Sequence, residues 1–347
     1  MIAWLRTPVG MWSTIVLGAL LCLPAILPEL MPENQARFWL ANIFGRAIIY
    51  GIIAMSLTFL ATYGGFVSLA QMSLAGVAGY VVAVTVNGAV PSIVGGLSYL
   101  TAIPLGVFAA VAAALFVGLV SVRTRDIYLL MITLALAMGF FRFVETNIAW
   151  FNGYEGIRNV LGPTVFGLPF RDPHVLYYVS LATAVSLYAG VLYLVRSPFG
   201  LVLQGIRDNP RRIAALGYNV AHHRIAAFGV AGFIAGCGGV LATIYNIGIS
   251  PGSVGLSATV NVLIMSVIGG LGHPIGAFIG SLIFAFFDTF AASIYDRNRF
   301  NTLIGVVFLI IVLVSPDGVI GFAKRARAFA KEKAAPKDWS RQGSKPG

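Results

Sequence analysis

Apolar stretches of about the 20 residues that a helix needs to cross a bilayer recur along this chain from Trp12 to Ser315. They fall at roughly 12–31, 38–62, 72–88, 97–120, 127–149, 175–195, 225–247, 258–271, 275–293 and 301–316. A soluble globule needs polar residues to cover itself, and only 10% of these residues are charged while 58% are hydrophobic. The expected fold is an all-α polytopic membrane protein of about ten transmembrane helices. We divide it into an N-terminal helix with its lead-in loop (1–36), a transmembrane domain (37–322) and a basic tail (323–347).

Charge sets the orientation. An even number of spans puts both termini on one side. With that side cytoplasmic, it holds Arg6, Arg123, Arg125, the arginines of a polar stretch at 196–224, and the eight Lys/Arg of the tail, roughly 16 of the 23 in the chain. Both termini are therefore expected in the cytoplasm. The net charge of +11 reads as positive-inside asymmetry, not as a nucleic-acid surface, and the tail is suited to anionic membrane lipid. Arg6 and the apolar run after it could pass for a signal peptide. LPELMPENQ, however, lacks a small-x-small cleavage site, which favours a retained helix. Cys22 and Cys237 sit in apolar runs with no CxxC neighbour, so neither a disulfide framework nor a metal cluster is expected.

Polar residues inside the spans are few. Arg46 either snorkels outward from the second span or meets a partner within the bundle. In YGGFVSLAQMSLAG, Gly64 and Gly65 break the helix, and Ser68, Gln71 and Ser73 follow in apolar surroundings. This is either a tight inter-helix turn or an interrupted helix lining a solute path, and the short eighth span buries Asn261, a further candidate for the path. Asp126 is placed to favour the dipole of the helix that it opens. Arg142 and Glu145, three apart, share a helix face and can pair near the surface, with Trp150 as an interfacial anchor. Residues 150–174, dense in Gly and Pro, predict an ordered irregular outside loop. Gly232 and Gly236, and again Gly272, Gly276 and Gly280, mark close-packing helix faces. His273 reads as a turn residue at the membrane surface. LATYGGFVSLA echoes LATIYNIGISPGSVGLS, and RTRD echoes DRNR, on opposite sides of the membrane, as an inverted repeat requires.

No catalytic chemistry is legible. There is no GxxxxGK[ST], no lysine before Lys324, no HExxH, no Cys/His ligand set and no recognisable Ser/His/Asp arrangement. Intramembrane carboxylates, the relays of proton-coupled carriers, are nearly missing, so energy for uphill movement must come from outside the chain. The polar stretch at 196–224 is where it could enter. Asp208 or Asn209 can cap a helix beginning at Pro210, carrying Arg211, Arg212, Ala214, Ala215 and Leu216, and stopped by Gly217. Two turns are too short to be stable alone in water. The segment is either a basic loop that satisfies positive-inside or a short helix that fits a partner's groove.

Residues 40–320 resemble the inner-membrane permeases of bacterial branched-chain amino acid ABC importers, of the LivM type. The resemblance rests on GGFVSLAQMSLAGVAGY, RDIYLLMITLALA, SPFGLVLQGIRDNPRRIAALGYNV and LIMSVIGGLGHPIGAFIG. It implies a multi-pass subunit with no cofactor of its own. ATP would be used by cytoplasmic ATPase subunits docked on a coupling loop, here Arg207, Asp208, Asn209, Pro210, Arg211, Arg212, Ala214, Ala215, Leu216 and Gly217. It implies a second permease subunit as heterodimer partner and a periplasmic solute-binding protein. Such families commonly carry a Thr-Gly-rich motif in the loop after the fifth span; FNGYEGIRN keeps Glu155 and Gly156 but has Asn152 or Tyr154 at the threonine position. Solutes consistent with the resemblance are branched-chain or related amino acids, with urea, short amides or aromatic acids as alternatives. An ion-coupled carrier and an integral-membrane enzyme are the readings from other classes.

Overall fold

The computed structural model describes residues 32–87, 98–124, 126–160, 162–165, 168–170 and 172–294, with Gly305 and Gly318. The expected span at 12–31, that at 301–316 apart from Gly305, Arg125, the Asp126 side chain, the DRNR turn and the tail 323–347 lie outside the described residues. In chain order the helices are α1 (Gln35–Gly64), α2 (Gln71–Asn87), α3 (Tyr99–Ser121), α4 (Asp126–Thr146), α5 (Ile148–Phe151), α6 (Pro173–Arg196), α7 (Pro198–Asp208), α8 (Pro210–Ala215), α9 (Val220–Tyr245), α10 (Leu256–Gly269) and α11 (Ile275–Ile294). Four two-residue strands form two small antiparallel ribbons: β1 (Ile157–Arg158) with β4 (Gly248–Ile249), and β2 (Thr164–Val165) with β3 (Leu168–Pro169).

Six helical stretches are long and apolar enough to cross a membrane, and α2 and α11 are shorter apolar helices. Eight of the expected spans thus coincide with described helices. The helical run that contains α1 begins at Glu33. Arg46 follows a π-wound stretch, Trp39–Gly45, and a second π turn, Leu60–Gly64, closes α1.

Lipid gives helices no hydrophobic reason to associate, so packing depends on small residues and on hydrogen bonds between helices. Helix α9 is the hub. A Cβ at Gly232 would stand 2.2 Å from the Ala114 side chain of α3, one at Gly238 2.7 Å from Ile53 of α1, and one at Gly239 2.0 Å from the Ala75 carbonyl of α2. Helices α10 and α11 touch backbone to backbone: a Cβ at Gly280 would lie 1.8 Å from the Met265 carbonyl oxygen. Gly276 belongs to the same face; Gly272 does not, since nothing lies within 4 Å of its Cβ position. Hydroxyls then tie this hairpin to α1, with Ser281 Oγ donating to the Ala47 carbonyl (2.7 Å) and Ser266 Oγ to that of Ala54 (3.2 Å).

Two breaks organise the bundle. After Gly64 the chain leaves the helix through Gly65 (φ +73°), and α2 resumes only at Gln71. Ser56 Oγ lies 2.9 Å from Gln71 Oε1. Since Ser56 is nine residues before Gly65, the non-helical segment re-enters the bundle by about 13 Å. The second break follows α9, where residues 246–255 turn back inward. Val254 presses on Gly76 of α2. The first break contacts α7 and the second pairs with β1, and the 24-residue α6, about 36 Å long, separates α7 from the β1 loop. The breaks therefore enter from opposite ends.

Candidate coupling element and solute path

The polar stretch 196–224 is a helix–turn–helix. Ser197 accepts a hydrogen bond from Gly200 N–H and Pro198 occupies the first position of α7, a helix the sequence reading left as loop. Asn209 is the cap of α8: its Oδ1 accepts from Arg212 N–H at 3.1 Å, with Pro210 in the first turn. At the other end Gly217 takes φ +90°, its N–H bonds the Ala214 carbonyl (3.0 Å), and Tyr218 N–H bonds that of Ile213 (3.3 Å). This pair of bonds is the Schellman stop, which needs the left-handed residue that glycine supplies. The helix closes one residue earlier than expected, at Ala215, with Leu216 as its C-terminal cap.

Almost nothing covers α8. Arg211, Arg212, Ala214, Ala215, Leu216 and Gly217 are exposed, Leu216 at 67%. Its tether is Ile213, whose side chain fills the space at Gly205 of α7. The α7 end is fixed to the bundle by Arg207. Arg207 Nη1 donates to the Thr62 carbonyl at 2.6 Å, Nε donates to Asp208 Oδ1 at 3.1 Å, and the stem lies so close to Gly65 that a Cβ there would stand 2.3 Å from Arg207 Cγ. The exposed knob and the first helix break are thus two ends of one mechanical connection. Phe66, just past the break, stacks on Phe228 of α9.

Beyond Gly65 the polar residues expected along a path are brought together, with one exception. Ser68, Gln71 and Ser73 are buried. Leu69 N–H donates to Thr133 Oγ1 (3.1 Å), Ala70 N–H to Ser68 Oγ (3.3 Å), and Ser73 Oγ to the Ala137 carbonyl (3.4 Å). The unwound backbone is held by hydroxyls of its own segment and of α4, the condition under which irregular backbone is tolerated at membrane depth. Asn261 is only half-buried on α10 and does not join this group.

A narrow cleft of about 20 Å³ lies next to the group, between α1, α2, α9 and the second break. Its walls include Tyr50, Met72, Gly76, Thr243 and Ser253. That volume holds about one water and no organic solute. At the β1 end, a shallower hollow of about 200 Å³ is lined by Asn87, Trp150, Asn152 and Arg158. Within the described part of the 150–174 loop, side-chain and backbone contacts hold the turn at 152–156. Asn152 Nδ2 donates to the Gly156 carbonyl (3.0 Å), and Gly156 (φ +70°) seats against Ile249 and Ser250 of the second break, where any Cβ would collide.

The partner of Arg46 was not visible in the sequence. It is Asp288 of α11, 242 positions away, and the guanidinium also lies over the Tyr50 ring at 5.7 Å. Arg142 and Glu145 do pair, at 2.5 Å, with Arg142 largely exposed. His273 lies in the turn between α10 and α11, where its Nδ1 accepts from Ile275 N–H. The residues Gly248 to Gly252 have the GxSxG spacing of a hydrolase nucleophile, a match absent from the sequence reading. Ser250, however, opens a four-residue 3-10 turn, not a strand-to-helix elbow, and no histidine lines the adjoining cleft. Among the described residues no group of three His, Cys, Asp or Glu could hold a metal ion.

Comparison with known proteins adds a family. The family model described as branched-chain amino acid transport system / permease component matches residues 39–313. The high-affinity branched-chain amino acid transport system permease protein LivM of Escherichia coli is 24% identical over 249 residues, 65% of this chain. This chain spans 58% of that relative's length. A probable branched-chain amino acid transport permease protein LivH of Methanocaldococcus jannaschii is 24% identical over 81% of the chain and 90% of its own length. The ribose import permease protein RbsC of Haemophilus influenzae is 23% identical over 88% of the chain and 93% of its own length. No solved structure matches the chain.

Proposed function

Because the chain belongs to the branched-chain amino acid transport permease family, we propose that it is the membrane subunit of an ATP-driven importer. It takes branched-chain or related amino acids from a periplasmic binding protein and carries them across a bacterial inner membrane. Cytoplasmic ATPase subunits supply the energy, and a second permease subunit completes a heterodimer. In this reading the α7–α8 end faces the cytoplasm and the β1–β4 end faces outward, in accord with the arginines gathered at the former.

The observation that carries the proposal is the bond from Arg207 Nη1 to the Thr62 carbonyl. It joins an exposed docking knob to the unwound segment that leads to Ser68, Gln71 and Ser73. An ATPase gripping Arg211, Arg212 and the small face of Ala214 and Ala215 would move α8. The tether at Ile213 and Gly205 passes that movement to α7, and Arg207 passes it to Gly64 and Gly65. The first break then shifts against the second, and the narrow cleft between them opens to one side. The pseudo-inverted placement of the two breaks suits such alternating access.

The solute is the finer part of the reading. The ribose permease resembles this chain over a greater length than the LivM protein does, so class and solute need separate tests. Uptake into vesicles should follow ATP and persist when ion gradients are collapsed. Uptake that tracks an ion gradient in ATP-depleted vesicles would establish the ion-coupled alternative. Arg211→Glu and Gly217→Pro should abolish solute-stimulated ATP hydrolysis while membrane insertion is retained; normal hydrolysis in both would end the coupling role.

A further inference from the structure

We infer that the first turn of α2, with the side-chain amide of Gln71, is the station that recognises a carboxylate on the transported solute. The inference rests on the transport reading above and adds the chemical class of what is carried.

Gln71 is 1% exposed, yet its Nε2 has no hydrogen-bond partner among the described residues. The amide oxygen faces the Ser56 hydroxyl at 2.9 Å, which leaves the nitrogen as the unmatched atom, and a buried unmatched polar group is costly. A side chain kept at that cost in an apolar bundle implies a partner that this conformation does not supply.

The surroundings indicate what that partner is. Gln71 opens α2, a 17-residue helix, so the N–H groups of its first turn and the positive end of its dipole lie at the same end of the helix as the amide. Both are donors, and both favour a negative acceptor. No charged residue occurs between Arg46 and Arg123, so neither α2 nor the break before it carries a carboxylate. Access is close at hand: Met72, beside Gln71, and Ile53, one turn before Ser56, both line the cleft between the two breaks. Opening that cleft by one helical turn exposes the site. The combination recurs at the second break, where Thr259, in the first turn of the 14-residue α10, is buried with its hydroxyl unpartnered among the described residues.

The test uses the complete transporter with its binding protein in proteoliposomes. The probes are L-leucine and benzoate as carboxylates, and leucinamide, urea and ribose as solutes without a carboxylate. Wild type should carry a carboxylate probe in preference to the others. Gln71→Leu should lower that uptake at least tenfold and Gln71→Glu should lower it further, while hydrolysis stimulated by loaded binding protein continues. Thermal stability separates recognition from packing: Gln71→Leu removes the unmatched amide and should melt at or above the wild-type temperature. Carboxylate uptake unchanged in both variants overturns the inference, as does a melting temperature that falls in step with uptake. ATP-driven uptake confined to the probes without a carboxylate overturns it and leaves the importer reading intact. Absence of any ATP-driven uptake overturns both.

Discussion

Replacing Arg207 by methionine isolates the link between knob and break. Methionine keeps an unbranched stem against Gly65 but removes the donor to Thr62. A hydrogen bond from a charged donor contributes about 1.5–3 kcal/mol in protected surroundings. Arg207 is 41% exposed, so solvent reduces this to about 1 kcal/mol. Because about 1.4 kcal/mol is a factor of ten, the docked and undocked positions of α7 should separate from the state of the break by roughly fivefold. The assay is the number of solute molecules taken up per ATP hydrolysed in proteoliposomes. Arg207→Met should lower that ratio by about fivefold while hydrolysis itself continues. Asp208→Asn is the control. Asp208 pairs with Arg207, is 69% exposed, and should change the ratio little, as exposed pairs do. An Arg207→Met transporter with the wild-type ratio would refute the mechanical link.

Three further outcomes follow from the geometry. Asn209→Ala removes the α8 cap, worth about 1 kcal/mol, and should speed hydrogen exchange of the 211–216 amides by roughly fivefold; an unchanged rate contradicts the capping assignment. Gly280→Ala places a methyl against backbone of α10 and should lower stability by about 1–3 kcal/mol or more in a detergent melt, whereas Gly272→Ala should be neutral. Asp288→Asn strands the guanidinium of Arg46 and should cost about 1–3 kcal/mol, less than for a fully buried pair because the two side chains are 22% and 32% exposed. Combining it with Arg46→Met should recover most of that loss, and additive losses would show that the two residues do not act as a pair.

Much of this architecture was legible in the chain because its signals are local. Apolar length located eight of the described helices. Asn209, Pro210 and Gly217 announced the start and stop of α8, and Gly232, Gly236, Gly276 and Gly280 announced close packing. What was missed depends on distance or on compensation. The α7 helix carries Gly200 and Gly205, which weaken helix propensity. They are there because α7 approaches the Leu194 and Val195 carbonyls and receives Ile213. The partner of Arg46 lies on another helix, and β1 and β4 are two residues each, below any periodicity. The depth to which residues 65–70 re-enter became visible only from the contacts of Ser56, Thr133 and Ala137. Asn261 read as buried because its helix is short and apolar, and the fold leaves it half-exposed at the side.

Cross-linking from Ala215 tests the central claim most directly. With Cys22 and Cys237 replaced, a single cysteine at Ala215 in α8 should be joined by a short bis-maleimide to the co-purified ATPase subunit. A cysteine at Tyr154, 81% exposed at the opposite end, should not. A cross-link from Tyr154 and none from Ala215 would contradict α8 as the point where force enters.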